Sequence, residues 1–417
     1  MPTLSEATNA ERGQHRSASR PRFWTRAGVM TGKTLCALLS AAIVLGFGYG
    51  WKNFRDLNSG LQRFTLPSIN TPAQPDGTVT GTAQPQNVGA VKGVAQNILI
   101  VGIDDRADMT PSETALLHVG QDSSLSTDVI MIVHVPADGS KATLISIPRD
   151  SYVTIPGFLK NKINAAYADG YTGTTGDTKA KQAAGADLLI RAVRELTGLS
   201  INHYVQIGFV GFYRIAQAIN GIRVNLCHAV DDTGAHNAAE GQSGGSGFLM
   251  SAGTHDLTAV QSLEFVRQRH NLAGGDLDRA KRQRYFITAA FRKIASAGVL
   301  LNPSKLRNLV RAIDRSLYVD NGFRIIDFAS QMTRLSADNI VGKTIPTAGN
   351  SSIAGVGDVI SVDPATVRAF LSQLLSGTQP GAPKSAAQSS TSTSSSSSTS
   401  GSASPTAVKA LDSGCIN

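Results

Sequence analysis

Residues 128–150 read DVIMIVHV-PADGSK-ATLISI-PRD, two β-rich apolar runs on either side of a hexapeptide that contains Asp138-Gly139. Asp-Gly between two such runs is a strong hairpin signal. With that dipeptide as the turn, opposed residues have numbers summing to about 277, so Asp128 faces Arg149 and comes next to Asp150. Two carboxylates that are distant in sequence thereby meet at one end of one hairpin, with an arginine between them. Such acids repel unless a cation joins them, and one arginine cannot fully neutralise both. Hard carboxylate oxygens suit Mg2+ better than zinc. The plainer reading is a pair of solvated edge charges.

Upstream, NILIVG (Asn97 to Gly102) is a mostly apolar run that predicts a strand covered on both faces. It leads straight into Asp104-Asp105-Arg106, which delivers charge at a strand's carboxyl end, where open α/β sheets tend to bind ligands. Downstream, KINAAYA (Lys162 to Ala168) has a loop-to-helix setting, and Lys162 either serves the site or is plain surface. AGADLLIRAVREL (184–196) predicts a helix covering the core, with Arg191 and Arg194 on its solvated face. A strand from His203 to Val210, a helix from Phe212 to Ile219 and the strand-like GIRVNLC follow. That alternation predicts an α/β fold with a mixed central sheet flanked by helices. His134, mid-strand in an apolar run, reads as a packed core histidine.

The strongest chemistry lies between residues 257 and 294. A helix from about Thr258 to Phe265 gives way to Val266-Arg267-Gln268-Arg269-His270. Extended backbone there projects Arg267 and Arg269 to one side. After Ala273-Gly274-Gly275, Asp276 suits the N-cap of a helix running to about Ala297. Along it Arg279, Gln283, Phe286, Ala290 and Ile294 share one face, apolar at its far end and therefore inward. Arginine is rarely buried without an anion. Arg267, Arg269, Arg279 and Gln283 thus resemble a cradle for phosphate or diphosphate, since guanidinium forks match phosphate oxygens. The alternative is internal ion pairing to Glu264, Asp276 or Asp278. Arg282 and Arg284 fall on other faces and are expected in solvent. His270, next to the arginines, is a further candidate. GQSGG (241–245) matches a nucleophile-elbow pattern without its strand-turn-helix context, and no His/Cys cluster has metal-ligating spacing.

Composition places this core. The chain has 417 residues and a net charge of +9, with six bases and two acids before residue 34. That concentration argues against general nucleic-acid binding and for a local basic segment. Thr34 to Trp51 (TLCALLSAAIVLGFGYGW) has no charge and ends in aromatics suited to a membrane interface. The reading is a cytoplasmic tail (1–33), a single uncleaved transmembrane anchor (34–51) and an extracytoplasmic remainder. A linker (52–93) precedes the catalytic domain (94–376). A Ser/Thr-rich segment (377–410), unable to fold on its own, leads to a short tail (411–417) with Cys415. A tail that ends in cysteine has reason to return to the domain, and the exterior is oxidising, so a Cys227–Cys415 disulfide is expected.

Taken in order, NILIVGIDDR, LSTD, ISIPRDSYV, KINAAYA, FVRQRH and GGDLDRAKRQ resemble the LytR-CpsA-Psr family, over about residues 94–297 and on through 376. The resemblance implies an α-β-α fold enclosing an apolar tunnel for a polyprenyl tail; runs such as VIMIV and the 184–196 helix either line it or are ordinary core. It implies transfer of a glycopolymer, such as wall teichoic acid, capsule or arabinogalactan, from a polyprenyl diphosphate carrier to peptidoglycan at the membrane. Asp128 and Asp150 would hold Mg2+, with Mn2+ as a substitute. Arg106, Arg149, Lys162, Arg267, Arg269, Arg279 and Gln283 would bind the phosphates, and Arg267 and Arg269 would act with the two aspartates in catalysis. Asp104 or Asp105 would be the base. Two other readings stay open: a diphosphatase acting on the same lipids, and a non-catalytic membrane-attached regulator or lipid-binding protein.

Overall fold

The hairpin at residues 128–150 supplies two interior strands of a seven-stranded sheet in a computed structural model. The structure describes residues 61–69, 94–376 and 414–416, apart from 107–108, 118–122, 242–243, 269, 297–301, 314–315, 325–326, 329–334 and 336–338. The strands of this sheet are β1 (Gln62–Phe64), β2 (Gln96–Ile103), β3 (Thr127–Val135), β4 (Ala142–Ile147), β7 (His203–Gly208), β12 (Leu317–Asp320) and β13 (Ile340–Thr344). Their order is β1-β12-β7-β2-β3-β4-β13. The β2–β3, β3–β4 and β12–β7 pairs are antiparallel, and β1–β12, β2–β7 and β13–β4 are parallel, so the sheet is mixed. Between β3 and β4, Ile130 pairs with Ile147 and His134 with Thr143, the expected register, while the turn itself spans residues 136–139, closed by the Gly139 N–H on the Pro136 carbonyl at 2.9 Å.

Side chains of β2 and β3 alternate between two cores, as strand geometry requires. Ile98, Ile100, Val129, Met131 and Val133 pack on one face. They meet α4 (Phe209–Ala218), α6 (Ala259–Arg267), α7 (Asp276–Ser296) and α8 (Pro303–Ile313). Leu99, Val101, Ile130 and Ile132 pack on the other. There they meet α2 (Ala165–Thr172), α3 (Thr178–Thr197) and α9 (Pro364–Leu375). With both faces covered, the strands can be continuously apolar. Truncating Leu99, which has no exposure, to alanine removes about 2–5 kcal/mol.

Smaller elements complete the frame: α1 (Pro111–Leu117), α5 (Gly234–Ala239) and three small sheets. These pair β8 (Ile222–Leu226) with β11 (Gly253–Leu257), and β9 (Val230–Asp231) with β10 (Leu249–Met250). The third joins β5 (Ser151–Val153), β6 (Asn161–Lys162), β14 (Asn350–Ile353) and β15 (Gly357–Ser361).

Several expectations change. The folded domain starts before residue 94, because β1 adds to the sheet edge with Leu61, Phe64 and Leu66 buried and Phe64 stacked on Tyr318. The polar composition around this short segment hid its three apolar anchors. α3 runs from 178, and Arg194 is buried against the 61–69 segment, with Nη1 donating toward the Ser68 carbonyl at 3.5 Å. α6 continues through Arg267, held at its start by a Thr258–Gln261 capping box, so Val266-Arg267 is helical rather than extended. The segment expected to span a membrane, 34–51, and the 377–410 segment lie outside the described residues. Among the described residues no helix is long and apolar enough to cross a membrane.

Cys227 and Cys415 are joined in a disulfide. The neighbouring Ile416 exchanges backbone bonds with Asn225 and Cys227 at 2.7 and 3.1 Å, docking the tail beside β8.

Candidate anion-binding site at the carboxyl end of the central sheet

β2, β4 and β7 end, and β3 begins, at the same edge of the sheet. The ladder there carries a bulge. Gly102 pairs with Val129 but Ile103 pairs with Thr127, so Asp128 is the extra residue. A bulge re-aims a side chain, and this one brings Asp128 to the wall of a cavity of about 530 Å³. Gly102 is glycine for a local reason: a Cβ there would lie 2.9 Å from the Val129 Cβ and 3.1 Å from the Phe212 ring.

The cavity has two kinds of wall. Asp104, Arg106, Asp128, Arg267, His270, Arg279 and Gln283 supply the polar one. Val129, Phe209, Phe212, Leu263 and Val266 supply the apolar one. Arg106 grips Asp104 through two bonds of 2.8 and 2.9 Å. Its guanidinium also lies 5.0 Å from the centre of the Phe209 ring, and that of Arg267 lies 5.5 Å from the same centre. One aromatic ring thus steadies two cations that would otherwise repel. Phe209, the first residue of α4, was not singled out from sequence because a lone aromatic at a strand-helix junction reads as core.

At the hairpin end, Arg149 bonds Asp128 at 2.5 Å and approaches Asp150 at 3.4 Å. Lys162, on β6, reaches Asp150 at 3.3 Å. The two acids are therefore met by two bases, and the expected charge imbalance is removed by a lysine that sequence spacing does not place there. Of the four, only Asp128 lines the cavity. Among the described residues no three His, Cys, Asp or Glu side chains gather as a metal cage. What remains fits the ordinary habit of Mg2+, which takes one or two carboxylates together with phosphate oxygens and water.

The 279–294 face of α7 is inward as expected, with Arg279, Phe286 and Ala290 buried. Gln283 lines the cavity one turn on from Arg279. Arg269 lies outside the described residues, as does the side chain of Asp276. Arg282 and Arg284 are not in solvent. Arg282 is only 1% exposed, packed on Phe265 and Phe248, and burial lowers its pKa to about 10 against the pull of Asp278 and Asp232. Arg284 bonds the Thr344 hydroxyl of β13. α7 is enclosed on several sides by α6, β8, β3 and β13, so more than one of its faces is covered.

Asp232 stands behind the cavity with no exposed surface. It accepts from Asn237 Nδ2 at 2.7 Å, the Ser246 N–H at 3.0 Å and His270 Nδ1 at 2.9 Å. Burial pushes its carboxyl up, but these bonds prevail and hold it below the usual range. His134 bonds Asn97 Oδ1 at 2.8 Å away from the site, and burial lowers its pKa. The 184–196 helix belongs to the sheet's opposite core, so it does not line this cavity, whereas Val129 of the VIMIV run does.

The family model described as the LytR_cpsA_psr family matches residues 70–374. This chain belongs to that family. It is 36% identical over 335 residues to the cell wall biosynthesis protein LcpA of Corynebacterium glutamicum, covering 73% of this chain and 61% of that protein. It is 32% identical over 217 residues to TagU of Oceanobacillus iheyensis, a polyisoprenyl-teichoic acid–peptidoglycan teichoic acid transferase, covering 52% of this chain and 57% of that one. The chain thus spans about 60% of the length of these two relatives. The crystal structure of B. subtilis TagV shares the fold, with a TM-score of 0.52 at 20% identity over 69% of this chain and 98% of that one.

Proposed function

We propose that this member of the LytR_cpsA_psr family transfers a glycopolymer from a polyprenyl diphosphate carrier to a peptidoglycan hydroxyl. The products are a phosphodiester link and polyprenyl phosphate. The observation that supports it most is the two-sided cavity. The Arg106, Arg267 and Arg279 side chains line one part of it, while Val129, Phe212, Leu263 and Val266 offer apolar surface. That combination suits a ligand with a charged bridge and a hydrocarbon tail. The names of LcpA and TagU, which speak of cell wall biosynthesis and of teichoic acid transfer to peptidoglycan, point the same way.

Phosphoryl transfer needs charge stabilisation and alignment more than covalent help. Arg267 and Arg279, with Gln283, would hold the diphosphate oxygens, and Arg106 would be kept in place by Asp104 and Phe209. Arg149 and Lys162 would support the site from behind by fixing Asp128 and Asp150. Mg2+ belongs to the proposal: Asp128, backed by Asp150, would hold it, and it would offset negative charge on the diphosphate. The acceptor hydroxyl, that of the muramic acid 6-position, attacks the sugar-proximal phosphorus. Residues 34–51 would anchor the chain with this domain outside the membrane, where both substrates meet.

Arg267→Ala and Asp150→Ala are expected to abolish transfer in purified protein that still folds. Product analysis with and without peptidoglycan separates transfer from hydrolysis of the carrier. Wild-type turnover in either variant contradicts the assignment.

A further inference from the structure

Phosphoryl transfer to a hydroxyl leaves the hydroxyl proton without a destination, and the cavity narrows the choice of base. Among the described residues, three of its lining groups can take a proton: Asp104, Asp128 and His270. Both oxygens of Asp104 are bonded to Arg106. Asp128 is bonded to Arg149 at 2.5 Å. Guanidinium N–H groups already occupy these carboxylate oxygens. Asp105 faces a different cavity, among Tyr167, Tyr171 and Lys179.

His270 is arranged otherwise. Its Nδ1 lies 2.9 Å from Asp232 Oδ1 and 3.0 Å from Asn237 Nδ2. The tautomer follows from counting hydrogens. An amide nitrogen has two. Those of Asn237 go to Asp232 Oδ1 at 2.7 Å and the Gly244 carbonyl at 2.6 Å. No hydrogen remains for His270, so Nδ1 must itself donate to Asp232. The neutral ring then carries its lone pair on Nε2, the nitrogen left for the cavity. Asp232 is held ionised and fully buried, fixed by the Ser246 N–H as well. A buried carboxylate in that position orients an imidazole and stabilises the cation it becomes.

We propose that His270 is the general base of the transfer and Asp232–Asn237 its positioning pair, an assignment that rests on the proposed function. As the acceptor oxygen bonds to phosphorus, its proton passes to Nε2. The bond from phosphorus to the bridging oxygen breaks, and the electron pair leaves with polyprenyl phosphate. The imidazolium, paired with Asp232, later returns its proton to water. Arg267 and Arg279, which line the same cavity, favour return of that proton by repelling the cation.

The test uses the full-length chain with a short-prenyl diphosphate glycan donor and a peptidoglycan acceptor. His270→Ala is expected to lower kcat by roughly a hundredfold or more with donor affinity unchanged, and added imidazole to restore part of the rate. Asp232→Asn, which misplaces the Nδ1 proton, is expected to lower kcat in the same way but without imidazole rescue, its melting temperature reporting whether it folds. Transfer by His270→Ala within about threefold of wild type, or a loss that imidazole does not restore, overturns the base assignment while the proposed function stands. A wild type that transfers nothing overturns both.

Discussion

Replacing Arg282 with methionine is expected to stabilise the protein. The guanidinium is 1% exposed, and its Nε and Nη1 have no hydrogen-bond partner among the described residues. Burial lowers its pKa from the ordinary arginine value to about 10, even with Asp278 and Asp232 pulling it upward. At about 1.4 kcal/mol for each factor of ten, its charged form costs on the order of 3 kcal/mol. Contact with Phe265 at 4.6 Å and Phe248 at 5.8 Å returns about 0.5–2 kcal/mol of that. Methionine keeps most of the volume and needs no partner, so a net gain of about 1–2 kcal/mol is expected, or a melting temperature raised by roughly 2–6 °C. The pH sign follows from a base whose folded value is depressed. The penalty is fully present below about pH 10 and is relieved only as pH rises through that value. The gain should therefore be level between roughly pH 6 and 9. Circular dichroism in urea measures it. Destabilisation by more than about 1 kcal/mol refutes the reasoning, since the attraction of Asp232 and Asp278 would then outweigh desolvation.

Three further outcomes are expected. Arg214 bonds both oxygens of Glu113 at 2.8 Å, tying α1 to α4 and holding the Glu113 carboxyl down to about 2. A depressed acid contributes stability that is present above its unfolded value near 4.5 and lost as pH falls toward 2. Glu113→Gln should flatten the acid limb of the stability profile, and an unchanged limb counts against the pair. Gly102→Ala places a methyl against Val129 and Phe212, so a loss of about 1–3 kcal/mol and weaker donor binding are expected; native stability with native affinity refutes the close packing. Cys415→Ser opens a loop closed across 188 residues and should cost about 2–5 kcal/mol in thermal unfolding, whereas an unchanged melt argues that the bond is not formed.

The hairpin was legible because a turn dipeptide and two apolar runs determine pairing by local rules, and the Arg149–Asp128 contact follows from that register alone. The inward stripe of α7 was legible for the same reason, as periodicity along one helix. What escaped is what depends on distant segments. Lys162 meets Asp150 only because β5 and β6 pair in a second sheet. Arg194 is buried because residues 61–69, set in an otherwise polar stretch, return to the edge of the domain. The bulge that aims Asp128 comes from one extra residue in β3 relative to β2, a mismatch visible only when both strands are laid side by side.

Arg279 and Arg282 make the point most sharply, because they are three residues apart on one helix and both are buried. Residues three apart on a helix are neighbours on one face, and Arg282 also stands one turn before the buried Phe286, so one amphipathic stripe is enough to bury both. Burial therefore does not separate function from packing on α7. Surroundings do so instead. Arg279 lines a cavity with other guanidiniums and a glutamine, whereas Arg282 faces two phenylalanine rings. Yet Arg282 also pulls on Asp232, the carboxylate that holds His270. If Arg282→Met gains stability and loses transfer together, the buried charge is retained for what it does to Asp232, at a cost to the fold. A gain with transfer unchanged would leave Arg282 as packing alone.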